Sequence, residues 1–186
     1  NLLEVTVSKH SSNKSVNEAE RNADFWIFGG IFRPVWLEVL PAVHIREQLI
    51  NAKASGELSG TFYTNKWADS KAVVSIKNNK GELVDTITAT DIGSNYGVYF
   101  FSKNLTNVKE WSAEFPELYT AEFNIYNNGK VIHTVRQKFG FRTIEVRRRD
   151  GIYVNGVKMK FKGVNRHSFR PETGRTMSYA NSVEDV

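Results

Sequence analysis

Apolar and polar residues alternate through residues 43–141 in runs of about seven to twelve residues, the period of half-buried strands. Val43, Ile45, Glu47, Leu49 and Asn51 form one face of the first run, and His44, Arg46, Gln48, Ile50 and Ala52 the other. A second run, 58–65, carries Phe62 and Tyr63, and a third, 72–76, is apolar and β-branched. Asn78-Asn79-Lys80-Gly81 reads as a turn before the run 83–90. In the run 96–105, Tyr96, Val98, Phe100 and Ser102 share one face. Runs 119–126 and 131–141 flank Asn127-Asn128-Gly129-Lys130 and predict a terminal hairpin. About seven strands in about a hundred residues, with no helical period, predict an all-β chain whose centre is an antiparallel sandwich.

The flanks follow other rules. Residues 1–41 show strand-like pieces: Leu3, Val5 and Val7 alternate, a polar loop covers 10–22, and an aromatic strand covers 25–28. After the Gly29-Gly30 turn, Ile31-Phe32-Arg33 leads to Pro34, and Val35, Leu37 and Val39 alternate up to Pro41. Isolated strand pairs are marginal in water, so these read as the last strands of a preceding domain. Beyond Ile144 a tighter pattern begins. Ile144 and Val146 precede a turn at Asp150-Gly151, and Ile152-Tyr153-Val154 runs into Asn155-Gly156, the strongest short hairpin signal. Val157, Met159 and Phe161 then alternate with Lys158, Lys160 and Lys162. Gly163-Val164-Asn165-Arg166-His167 places polar groups just after that strand, as the rim of a β/α barrel does. Ser182-Val183-Glu184-Asp185 has the form of a capping box and predicts a helix start.

Composition changes this picture little. The 186 residues carry a net charge of +5 and an ordinary globular balance of apolar and charged residues. Zero Cys excludes disulfides, thiolate zinc sites and a Cys nucleophile, so the core must hold by packing. No apolar run is long enough to span a bilayer. The chain opens on Asn1 and reads as an excised piece of a longer protein. Its basic residues crowd into 136–166, among them Arg147, Arg148 and Arg149, with Arg147 and Arg149 sharing a strand face. No nucleic-acid-reading motif accompanies them, so they read as the solvated faces of strands, and neither a nucleic acid nor a membrane partner is expected.

Four segments together resemble family 2 glycoside hydrolases, the β-galactosidase branch in particular, and occur in that family's order. Asp24-Phe25-Trp26 with Gly29-Gly30-Ile31-Phe32-Arg33-Pro34-Val35 resembles the end of the sugar-binding jelly roll. Trp111-Ser112-Ala113-Glu114-Phe115-Pro116-Glu117-Leu118-Tyr119-Thr120 resembles a loop of the immunoglobulin-like domain. Phe139-Gly140-Phe141-Arg142 and Lys162-Gly163-Val164-Asn165-Arg166-His167 resemble the handover to the catalytic barrel. The resemblance implies the end of a jelly roll over 1–41, a complete immunoglobulin-like β-sandwich over 42–143 and the start of a (β/α)8 TIM barrel over 144–186.

It also implies a parent enzyme that hydrolyses terminal β-D-galactosides with retention, and a chain that serves it as scaffold. The two catalytic glutamates of that class lie on later barrel strands, so no catalytic residue is assigned and the chain alone is expected to be inactive. Asn165, Arg166 and His167 are the substrate-binding candidates, because amide, guanidinium and imidazole can donate to sugar hydroxyls; bracing of the barrel strands through backbone carbonyls is the other role open to Arg166. Glu114 is expected to make a structural hydrogen bond, and Glu145 and Glu172 surface or interdomain ion pairs. Arg33 reads as a bracket, Trp26 as core or interdomain packing, and Trp111 and Tyr119 as packing around Pro116. Ser168, Phe169 and Arg170 depart from the β-galactosidase pattern, which continues with Glu and a further His. The family implies magnesium or sodium near the active site, with ligands outside this chain, and its habit leans toward an exported bacterial enzyme. A β-glucuronidase-type parent, or a carbohydrate- or protein-binding sandwich module, remain alternatives. The flanks are expected to fold back on the sandwich or to pack against a second copy.

Overall fold

The computed structural model describes residues 2–22, 29–66, 71–93 and 97–185, which form two units, 39–161 and the flanks 1–38 with 162–186. Asp24, Phe25, Trp26 and Phe28 of the expected aromatic strand, and Tyr96, lie outside the described residues.

The larger unit holds seven strands where the alternation placed them: β1 (Ile45–Ala52), β2 (Glu57–Thr64), β3 (Lys71–Lys77), β4 (Leu83–Asp91), β5 (Val98–Asn104), β6 (Tyr119–Asn127) and β7 (Lys130–Phe139). All neighbours are antiparallel, in the order β1-β2-β5-β4-β3-β6-β7. β4 pairs along its length with β3 but meets β5 only at Thr90–Phe100 and Asp91–Tyr99. The ladder therefore folds at β4 into two facing sheets, the immunoglobulin-like arrangement. Turn chemistry supports it locally: Asn78 Oδ1 accepts the N–H groups of Lys80 and Glu82, each at 3.0 Å.

Leu58, Phe62 and Phe101 of one sheet meet Val74, Ile76, Phe123 and Ile125 of the other, all at most 1% exposed. The Phe123 ring stands edge-on to Phe62 (5.3 Å between centroids) and to Phe101 (5.8 Å). Phe62 and Phe123 sit on the second and sixth strands, which antibody domains join by a disulfide; here an aromatic contact takes that place. Gly60 leaves room for this core. A Cβ on it would lie 2.5 Å from the Phe101 ring and against the Leu49 carbonyl.

Two inward faces are decided by the tertiary structure. In β5, Tyr99 and Phe101 are buried while Phe100 is exposed, so the inward face is the opposite one to Val98, Phe100 and Ser102. The run is apolar on both faces, and the contacts of Phe101 with Phe123 and of Tyr99 with Phe62 select one. In β1 a bulge between Ile45 and Glu47 shifts the register. Ile45 and Ala52 thereby both reach the core although they belong to opposite parities.

The loop 105–118 is pinned by a tyrosine corner. Tyr119, 6% exposed, accepts the Lys109 N–H at its hydroxyl (2.9 Å) and packs edge-on against Phe141 (5.0 Å). Ser112 Oγ accepts the Phe115 N–H at 3.0 Å. Tyr119 thus acts as expected, whereas Glu114 is exposed on the loop and no hydrogen bond from it is seen among the described residues.

On the outer face of β6, the Glu122 carboxylate is 15% exposed between Arg136 Nε (2.7 Å) and Lys77 Nζ (3.2 Å). The Arg136 hydrogen bond, ahead of the Lys77 contacts, holds its carboxyl below the ordinary 4.5. A depressed folded-state value stabilises the fold above the unfolded value and is lost as pH falls through the folded one. Glu122→Gln is therefore expected to lower stability at neutral pH and to shallow its decline below about pH 4.5. Urea midpoints of the two proteins across pH 2.5–7 (roughly the carboxylate range) check this; parallel curves would show that the pair contributes nothing.

After the sandwich, β8 (Ile144–Arg147), β9 (Gly151–Val154) and β10 (Val157–Lys158) form a small antiparallel sheet. Asn155 and Gly156, at φ of 49° and 77°, make the expected tight turn. The turn before β9 is broader than Asp150-Gly151. It begins at Arg148, and Arg149 at φ 59° takes no strand face.

Outside the sandwich, 2–8 and 31–40 contain no strand among the described residues, and Val35, Leu37 and Val39 are each more than 70% exposed. The polar segment read as a loop contains the helix α1 (Lys14–Arg21), because Asn13 Oδ1 caps it by accepting the N–H groups of Ser15 (3.0 Å) and Val16 (3.4 Å). The expected strand 157–161 ends at Lys158, and Phe161 is 72% exposed. A barrel strand is held by a neighbour on each edge and a helix on its outer face, none of which these residues supply. The helix α2 (Tyr179–Glu184) is capped four residues before Ser182, by Ser178, which exchanges bonds with Asn181 in a capping box.

Candidate functional site

The segment 159–170 forms no regular element apart from an isolated bridge between Arg170 and Gly174, and it carries the sequence-predicted site. Asn165 and His167 are exposed, while Arg166 is half-buried. Arg166 Nη2 lies 2.6 Å from Asp185 Oδ2, and Nη1 donates to Ser182 Oγ at 3.4 Å. The braces of Arg166 are thus side chains of the α2 region rather than strand carbonyls, because α2 lies within reach and paired barrel strands do not form here. Arg170 Nη2 donates to Glu184 Oε2 (2.7 Å) and Asp185 Oδ1 (3.0 Å). Its hydrogen bond to Glu184 raises the guanidinium above its ordinary value. The Nε atoms of both arginines are buried without an acceptor. Two guanidiniums so oriented can still donate to a carbonyl, a carboxylate or a sugar hydroxyl. Ser182 and Asp185 are therefore the structural partners of the motif, and only the wish of a half-buried arginine for a carboxylate could have pointed to them in the sequence. Glu172 is exposed.

A second cluster joins the hairpin to the sandwich. Asn155 Oδ1 accepts the Thr143 N–H (2.8 Å), and its Nδ2 donates to the Trp111 carbonyl (3.0 Å). Trp111 N–H donates to the Phe141 carbonyl (2.9 Å), and the Arg142 guanidinium lies over the Trp111 ring at 4.8 Å. Asn155 is thus more than a turn residue: its amide both accepts and donates, which an aspartate at the same turn position could not do. Asn155→Ala is expected to cost about 1–3 kcal/mol and to loosen the hairpin while the sandwich stays folded. Amide exchange read residue by residue checks this, with faster exchange at Thr143 and in β9 and unchanged protection in β6 as the expected pattern.

Part of the basic stretch is engaged with acids. Arg147 pairs with Glu145 (3.0 Å) and covers the Tyr153 ring, and Lys158 pairs with Asp150 (2.6 Å). Glu145 is thus the surface ion-pair partner expected of it. Among the described residues no three His, Cys, Asp or Glu side chains converge as metal ligands, so none is assigned to the magnesium or sodium that the resemblance implies.

Residues 39–142 match the family model for glycosyl hydrolases family 2, and 144–186 match the TIM barrel domain of the same family. The chain is 34% identical to the β-galactosidase large subunit of Leuconostoc lactis, aligning over 100% of its own length and 29% of that protein. It is 30% identical to a putative β-glucuronidase of Formosa agariphila, over 89% of this chain and 21% of that protein. A solved β-glucuronidase of Parabacteroides merdae superposes with a TM-score of 0.71 at 22% identity, covering 88% of this chain and 22% of that one. The chain therefore spans less than a third of the length of these relatives.

Proposed function

Because this chain belongs to glycosyl hydrolases family 2, we propose that it is the non-catalytic scaffold of a longer enzyme that hydrolyses terminal β-galactosides with retention. The observation that carries the reading is the pair of adjoining matches: an immunoglobulin-like sandwich complete in itself, followed at residue 144 by barrel sequence. The galactoside choice is supported by relatives named β-galactosidase that align over the whole chain at 30–34% identity. The Asn155 cluster fixes the hairpin, and with it the entry into the barrel segment, against the sandwich. In the barrel segment Asn165 and His167 donate to sugar hydroxyls, and Arg166, held by Asp185, orients the loop that carries them. A retaining mechanism needs a nucleophile and an acid/base carboxyl about 5–5.5 Å apart, which later barrel strands supply.

The experiment is a panel of aryl β-galactoside and aryl β-glucuronide on the longer protein. The galactoside is expected to be preferred, and His167→Ala to lower kcat/KM for it by about ten- to a hundredfold. Preference for the glucuronide would instead support the second reading, which the Formosa relative favours. A non-catalytic binding module is disfavoured by the barrel match and would show as inactivity of the longer protein on every glycoside.

A further inference from the structure

β1 and β7 end the seven-strand ladder, so each presents one backbone edge that no strand covers. Near the start of the two strands the edges are stitched, with His133 Nδ1 accepting the Ile45 N–H at 3.1 Å. Toward their ends, where the Arg142 N–H donates to the Ala52 carbonyl at 3.0 Å, they line a cleft of about 480 Å³, within the range of ligand-binding clefts. Residues 50–53 of β1 and its exit form one wall, and 137–140 of β7 and its exit the other. Ile50, Leu118 and Phe139 supply apolar lining, and Ile144 extends it at 57% exposure.

The polar chemistry of the cleft has one sign. Its lining includes Lys53, Lys138 and Arg142 and no carboxylate. Lys53 is already neutralised by Glu57, which it reaches through both carboxylate oxygens at 2.8 Å. Among the described residues neither Lys138 nor Arg142 has an acidic partner; Arg142 rests on the Trp111 ring. The Gln137 side-chain oxygen is buried in the wall without a hydrogen-bond donor. An unpaired buried acceptor is costly, so the site gains by receiving an N–H group.

We propose that this cleft is a docking site for an extended acidic peptide strand. Such a strand adds backbone hydrogen bonds to the open edge of β7, in the manner of β-augmentation. It gives an N–H to Gln137, sets its apolar residues on Leu118 and Phe139, and places alternate carboxylates on Lys138 and Arg142. An apolar ligand would leave the two cations and the Gln137 oxygen unanswered. A basic one would meet like charge.

The test uses the whole chain, isotope-labelled, and three probes at matched concentration: a short end-blocked peptide of alternating glutamate and valine, the same peptide with lysine for glutamate, and acetate. The acidic peptide is expected to shift the amides of 50–53 and 137–140 saturably, less at high salt. Lys138→Glu, a substitution at an exposed position outside the core, is expected to weaken it about fivefold or more without moving the urea midpoint. The proposal is overturned if the acidic peptide leaves these amides unmoved, if lysine peptide or acetate shifts them equally, or if Lys138→Glu binds as well as the original chain. It is also overturned if the same amides shift with protein concentration alone, which would make the occupant a second copy.

Discussion

Phe123→Ala is expected to unfold the sandwich under conditions where the original chain is folded. Phe123 is fully buried on β6, an interior strand of its sheet, and its ring bridges the facing sheets by meeting both Phe62 and Phe101. Truncation removes the transfer energy of a phenyl ring and leaves a cavity between rings that cannot close it, together about 3–5 kcal/mol. Native domains hold only about 5–15 kcal/mol in total, and with zero Cys no cross-link limits the unfolded chain. Urea denaturation followed by near-ultraviolet circular dichroism should show a midpoint near zero denaturant. Phe123→Leu, which keeps most of the volume, should retain a cooperative transition. If both behave like the original chain, the two sheets are not held together at this contact.

The second large effect is an absence of turnover. The chain of 186 residues is expected to leave an aryl β-galactoside intact, where the longer enzyme would hydrolyse it. Retaining hydrolysis requires two carboxyl groups facing the scissile bond. The described carboxylates of the barrel segment are Glu145 and Asp150, paired with Arg147 and Lys158, Glu172, which is exposed, and Glu184 and Asp185, which are held by Arg170 and Arg166. Glu184 and Asp185 are occupied by guanidiniums, so neither is free to face a scissile bond. Release of the aryl group by a rigorously purified sample, scaling with protein and abolished by Glu184→Gln or Asp185→Asn, would overturn this account of the barrel segment.

The loop motifs and the turns were legible in the sequence because their causes are local. Asn155-Gly156 and Asn128-Gly129 take positive φ at little cost, and each placed a hairpin correctly. Seven alternating runs became seven strands, and Tyr119 took the packing role read for it. The site motif was legible only as a motif: Asn165, Arg166 and His167 are named by their likeness to a family, while the partners Ser182 and Asp185 come from a helix whose true cap, Ser178, lies four residues before the predicted one.

The sequence by itself determined the seven strands of the sandwich, the Asn-Gly turns and the family-bearing motifs, since alternation and turn chemistry act within a few residues. Tertiary structure alone decided which face of β5 turned inward, because Val98 to Phe101 offers apolar groups to both sides and only Phe62 on the neighbouring strand and Phe123 across the core distinguish them. It decided the bulge that lets Ile45 and Ala52 share one core. It also decided the fate of the flanks. The stretches around Val5, Val35 and Phe161 have strand-like patterns and form no strands, because a strand exists only where another backbone edge receives its hydrogen bonds.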